Sequence, residues 1–138
     1  MPKPPGELAR AWLLKAYSDL DTARQIGGLA DGHLDAGIYH CQQAAEKALK
    51  GFLVLHGKPF ERIHDLGKIL EQVVLVNAAF GQFADAADAL TPYSVAYRYP
   101  DEQGTLEPSR DEFDEALQHA QTIYDFVLSL LPPGAQPG

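Results

Sequence analysis

An all-α fold, an antiparallel up-and-down four-helix bundle with one additional short helix, is predicted by three features of this 138-residue chain. Apolar residues recur at steps of three and four over long stretches, Gly and Pro separate those stretches, and no two segments alternate with the two-residue period of paired strands. At this length roughly two thirds of the unfolded surface can be buried, enough for one domain with its own core. Residues 1–131 are read as that single bundle and residues 132–138, PPGAQPG, as a flexible C-terminal tail.

The first helix is expected after the opening prolines, with Leu8, Trp12, Ala16, Leu20 and Ala23 as its buried line and Gly27-Gly28 as its stop. Asp31 or Gly32 then caps a second helix, which carries Ile38, Cys41, Ala45, Ala48, Phe52 and Leu55 to about His56 and ends at Gly57 and Pro59. His64 or Asp65 caps a third, through Leu66, Ile69, Leu70 and Val73. The run at 73–76 has strand character but no partner to pair with. The alanine-rich stretch 78–100 is read as helical in two pieces, split at Thr91-Pro92 and ended by Pro100. A polar loop, DEQGTLEP, leads to Ser109-Arg110-Asp111-Glu112, which has the form of a capping box. The last helix places Phe113, Ala116, Leu117, Ala120, Ile123, Tyr124, Val127 and Leu130 or Leu131 on one face.

Cys41 is the only cysteine, so no intrachain disulfide and no four-cysteine metal site can form, and a reducing, cytoplasmic setting is expected. The segment MPKPPGELAR lacks the apolar centre of a signal peptide, and no apolar run is long enough for a bilayer, so no membrane association is expected. A net charge of −8 argues against a general nucleic-acid coat. Its distribution is uneven. His40 to Lys68 holds five Lys and Arg against three acids, whereas Ile69 onward holds two against eleven. The acidic total therefore conceals a mildly basic middle, containing His40, His56 and His64, that suits a small anion.

Three constellations carry candidate chemistry. On the second helix His40, Gln43, Ala44, Lys47 and Gly51 share a face beside the core stripe; it is either a solvated surface, with Glu46 and Lys50 as an i,i+4 pair, or a wall that a ligand, helix or second subunit approaches closely. The stretch Tyr93-Ser94-Val95-Ala96-Tyr97-Arg98-Tyr99-Pro100 combines a guanidinium able to pair with phosphate and tyrosines able to flank a base; alternatively it is an aromatic cluster packing a helix end. In Arg62-Ile63-His64-Asp65-Leu66 the polar pair either caps a helix or brings His64 to His40 in a polar cleft. Metal binding is not expected, because the His and Cys residues lack the paired spacings of zinc motifs and no HExxH occurs. No glycine-rich phosphate loop and no G-x-S-x-G appear.

The order HCQQAAEKALKGFL, then HDL, then AYRYP before an acidic loop and a last helix, resembles the HEPN (higher eukaryotes and prokaryotes nucleotide-binding) domain family over most of the chain. The resemblance implies a small helical bundle that dimerises with its own copy and often stands beside a minimal nucleotidyltransferase, in many cases as a toxin–antitoxin pair. It implies polar functional positions at His40, Gln43, Glu46, Lys47 and Lys50, at His64, and at Tyr97, Arg98 and Tyr99. Ribonuclease members of the family carry an Arg followed after four to six residues by His. Here the residues five to seven places after Arg10, Arg24, Arg62, Arg98 and Arg110 are KAY, LAD, GKI, QGT and EAL, with no histidine among them.

The resulting expectation is a non-catalytic protein that needs no cofactor and binds a nucleotide (ATP, GTP or AMP) or another phosphate group. Its contacts would be His40, Gln43, Lys47, Lys50, His64, Tyr97, Arg98 and Tyr99. The alternatives are an endoribonuclease acting on RNA through a divergent set, His40, His64 and Arg98, and a pure dimerisation module with its seam at Ala44 and Gly51.

Overall fold

A computed structural model describes residues 3–100 and 107–138, and every regular element among them is helical. Three long helices, α1 (Pro5–Gly27), α2 (Leu34–Leu55) and α5 (Arg110–Ser129), are accompanied by two short ones, α3 (Leu66–Val76) and α4 (Ala84–Leu90). The all-α bundle expected from periodicity is the architecture found. Most of the polar loop expected after Pro100 lies outside the described residues.

Helix α1 buries Ala9, Leu13, Ala16, Leu20 and Ala23. This line differs from the expected one in its first two turns, where Leu8 is exposed and Trp12 is half-buried, edge-on to Phe60 with ring centroids 5.4 Å apart. The reason is the close approach of α2. Gly51 faces Trp12, Leu13 and Ala9, and a Cβ there would run into the Leu13 side chain. At the other end of the pair Gly37 faces Ile26, so α1 and α2 run antiparallel. Helix α5 is also antiparallel to α1: Gly27 faces Phe113, whereas Tyr17 meets Tyr124.

Helix α2 is enclosed on nearly all sides, and between Cys41 and Leu53 only Lys47 is not buried. Ala44 is fully buried and Gly51 seats α1 of the same chain, so these small residues are not a seam for a second subunit. The start of α2 also differs from expectation. His33 occupies the cap position without a side-chain bond, while Gly32 lies against the Ile26 carbonyl where no Cβ fits. A tight turn, not a capping side chain, fixes this boundary. The helix ends at His56 as its cap, followed by Gly57 at φ 65°.

The loop after Gly57 runs back along α2, placing Phe60 beside Lys50 and His64 beside Glu46. Asp65 then caps α3, its Oδ1 accepting from the Lys68 amide at 3.2 Å. The apolar run at 73–76 completes α3 as helix. Phe80 meets Phe52 at a tilt and Phe126 edge-on, with centroids 4.7 and 4.9 Å apart, and so joins α2, the 3-10 turn Ala78–Phe83 and α5.

The second helical piece expected up to Pro100 does not form. A 3-10 turn, Thr91–Ser94, ends the helical path, and Tyr97 takes φ 67°. Pro92 has no N–H with which to continue an α-helix, and the Tyr97 hydroxyl is held by α5. At the start of α5 the Ser109 hydroxyl accepts from the Glu112 amide at 3.1 Å, which is half of the expected capping box. The Glu112 carboxylate instead accepts from Tyr93 and Tyr97.

Residues 132–138, expected as a flexible tail, are folded back against the bundle. Ala135 is buried, the Gln136 amide donates to the carbonyls of Leu128 and Leu131, and the Gln136 carbonyl accepts from Arg10 Nε at 3.0 Å. Gln136 thereby bonds the last turn of α5 at Leu128 and the chain just beyond it at Leu131.

Candidate functional site

The polar residues of α2 divide between two networks. In the first, buried Asp19 of α1 accepts from Lys47 Nζ at 2.6 Å and meets His40 Nδ1 at 2.8 Å. His40 and Lys47 are two helical turns apart, so both reach the same carboxylate. Burial opposes ionisation of Asp19, but the hydrogen bonds with His40 and Lys47 and the Lys47 charge outweigh it and hold the carboxyl below its ordinary range. An ionised carboxylate only accepts hydrogen bonds. Nδ1 of His40 therefore carries the proton of this contact, and Nε2 is the ring nitrogen left for other partners.

The second network is centred on Glu46, which is 4% exposed. Its carboxylate pairs with Lys50 Nζ at 3.1 Å and His64 Nδ1 at 2.8 Å and accepts from Gln42 Nε2 at 3.1 Å. Gln42 also donates to the His64 carbonyl and accepts from Gln43, while the Lys50 ammonium lies 5.2 Å from the centre of the Phe60 ring. Sequence spacing offered a solvated face or a ligand wall for these residues. The structure makes them an internal lock that fastens the returning loop to α2.

A cleft of about 310 Å³ is lined by Asp35, Ala36, Tyr39 and His40 from α2 and by Tyr97 and Arg98 from the segment beyond Ser94. The Arg98 guanidinium sits over the Tyr39 ring, 4.0 Å from its centre. His40 and Arg98, distant in sequence, thus share one cleft, with Tyr97 in its wall. Lys47 reaches it only through Asp19 and His40. Gln43 and Lys50 are buried in the Glu46 network and do not line the cleft; Tyr99, 68% exposed, does not line it either. His64 of the divergent ribonuclease set is held at Glu46, six residues and about 9 Å along α2 from His40. A larger groove, about 520 Å³, lies beside α3, but its charged groups are Glu71 and Asp88, which repel anions.

Among the described residues one His, Asp and Glu grouping has the proximity to share a cation: His33, Asp35 and Glu107, with one ligand atom of each within 4.8 Å of the others. His33 and Asp35 are two residues apart, but Glu107 comes from a distant part of the chain, so sequence spacing does not reveal the group. His33 and Glu107 are exposed, and Asp35 lies in the first turn of α2, where free backbone amides favour a carboxylate without any ion. Burial pushes the Cys41 thiol up to about 12, which leaves it unreactive at neutral pH.

Asp19, Asp35, Tyr39 and Glu112 are the site residues that spacing did not single out. Asp19 left one signal, a carboxylate on the buried side of α1 between Ala16 and Leu20. Tyr39 directly precedes His40, but its role requires Arg98 above it.

The family model described as HEPN domain matches residues 9–130. A protein of Methanocaldococcus jannaschii named "Putative toxin MJ1304" is 25% identical over 136 residues, covering 89% of this chain and 88% of that protein. The crystal structure of TT1696 from Thermus thermophilus matches with a TM-score of 0.75 at 32% identity, over 88% of this chain and 96% of that one. That of ST0689, described as an archaeal HEPN homologue, matches with a TM-score of 0.72 at 26% identity, over 90% and 98%.

Proposed function

We propose that this chain, which belongs to the HEPN domain family, is a non-catalytic member that binds a nucleotide or another phosphate-bearing group between α2 and the 95–99 segment. The observation that carries this reading is the Arg98 guanidinium stacked on Tyr39 in the cleft that His40 also lines. A guanidinium is planar, and packing over an aromatic ring restricts where its N–H fork points, which suits bidentate pairing with phosphate. His40, oriented by Asp19, supplies a second polar contact, and the rings of Tyr39 and Tyr97 offer faces to a base. Calorimetry with AMP, ATP, GTP and inorganic phosphate tests it. Saturable heat is expected with at least one nucleotide, and Arg98→Ala weakens that binding at least about tenfold, the loss of one charge-assisted contact. No heat and no melting shift with any of them overturns the reading.

A toxin–antitoxin-type role is supported by the Methanocaldococcus relative, which is named as a toxin and matched over most of its length. Within that role the chain acts as a homodimer paired with a minimal nucleotidyltransferase. Growth arrest on expression, relieved by the co-expressed neighbouring gene, is the expected result.

One observation favours a second reading, an endoribonuclease with a divergent site. His40 bonded through Nδ1 to an ionised Asp19 has the arrangement of a general base, and Arg98 in the same cleft is placed to stabilise charge on a phosphorus centre. Cleavage of RNA by the purified chain, abolished by His40→Gln, would establish it; intact RNA removes it.

A further inference from the structure

We infer that Glu112, on α5, is a positioning residue for this cleft: its carboxylate holds the turn through Tyr93 and Tyr97 that places Arg98 over Tyr39. The functional consequence rests on the phosphate-binding reading above; the positioning itself does not.

Four observations converge. Tyr97 has φ 67°, a left-handed conformation that a residue with a bulky side chain adopts only where its surroundings enforce it. Its hydroxyl donates to both Glu112 oxygens, at 2.8 and 3.0 Å, and the Tyr93 hydroxyl donates to Oε2 at 2.7 Å. The two rings stack at 6.2 Å with planes 22° apart, so one carboxylate clamps both sides of the turn. The Arg98 amide then donates to the Val95 carbonyl at 3.2 Å, which closes the chain around Tyr97 and delivers the guanidinium to Tyr39.

The sequence position of Glu112 adds an independent argument. As the third residue of α5 it would complete a capping box by accepting from the Ser109 amide. The Ser109 half of that box is made, but the Glu112 half is directed to the two tyrosines. A local stabilising bond has been exchanged for a long-range one whose effect lies next to Arg98. A carboxylate has two oxygens that accept, which lets one side chain hold both phenols at once.

Glu112→Gln keeps the shape but has only one oxygen acceptor, so the two phenols can no longer both be held as before. The test follows the Arg98 Nε–H resonance in the full chain, with and without AMP. In the wild type the Tyr39 ring current is expected to shift this signal upfield. In Glu112→Gln, and in Tyr97→Phe, which leaves α5 untouched, it moves toward the unstructured value and AMP affinity falls about fivefold, the loss of one hydrogen bond. Ser109→Ala serves as control: it lowers the melting temperature through the cap but leaves the Arg98 signal in place. The inference is overturned if Glu112→Gln and Tyr97→Phe keep the wild-type signal, or if Ser109→Ala displaces it equally. Absence of AMP binding by the wild type would overturn the phosphate-binding reading instead, and the Arg98 signal would still decide the positioning.

Discussion

At Asp19 desolvation and ion pairing act in opposite directions, and the folded carboxyl titrates below its ordinary range. A depressed folded value means that the ionised group stabilises the fold above the unfolded value, about 4, and that this stability is lost as pH falls through the folded value. Asp19→Asn should therefore lower unfolding free energy most near neutral pH. The difference from wild type should shrink steadily in acid. Urea titrations across the acid range read this directly, and a pH-independent difference would contradict the His40–Asp19–Lys47 assignment. Glu46 makes a sharper case, because Lys50 beside it has a side chain only 6% exposed. Glu46→Ala leaves a buried cation without a counter-charge and is expected to cost about 3–5 kcal/mol, whereas the Glu46→Ala/Lys50→Met pair recovers most of that loss. A single-variant cost below about 1 kcal/mol, the usual value for exposed pairs, would mean that water reaches Lys50.

Among the elements, α1, α2 and α5 were legible from sequence because their signals are local: three-and-four spacing, Gly and Pro at the breaks, and Ser109 at a start. Their faces were less legible. Gln43, Glu46 and Lys50 were open to two readings, a solvated face or a ligand wall, yet they are buried because the loop through His64 folds back on them. The 95–99 segment read as helix because its Ala and Tyr permit one, but the pull of Glu112 on Tyr97 comes from α5 and leaves no local trace. In the same way His40, Tyr97 and Arg98 were identifiable as candidates, while Asp19, Tyr39 and Glu112 acquire roles only through tertiary contacts. Close helix packing gives the prediction at this scale. The Phe113 ring lies between Gly27 and Gly37, and a Cβ on Gly37 would stand 2.6 Å from Phe113 Cε1, with the ring barred from retreat by Gly27. Gly37→Ala should destabilise by about 1–3 kcal/mol through overpacking, outweighing the better helix propensity of Ala of about 1 kcal/mol. Thermal melting checks it, and a raised midpoint would show that the ring has room to move.

At the scale of the whole molecule, the proposal of a small ligand rests on the cleft between α2 and the 95–99 segment. No described helix is long and apolar enough to cross a membrane. A net charge of −8 disfavours a long polyanion, whose binding needs many Lys and Arg. Only two of its basic residues fall after Lys68, and one of them, Arg98, is delivered to the cleft beside His40. Arg98 shares that cleft of about 310 Å³ with the Asp35 carboxylate, and its size suits part of a nucleotide. The most direct test is a titration of isotopically labelled protein with AMP, ATP and GTP, following backbone amides. The account predicts saturable shifts clustered at Tyr39, His40, Tyr97 and Arg98 that disappear in Arg98→Ala. Shifts confined to the groove beside α3, or none at saturating nucleotide, would contradict it.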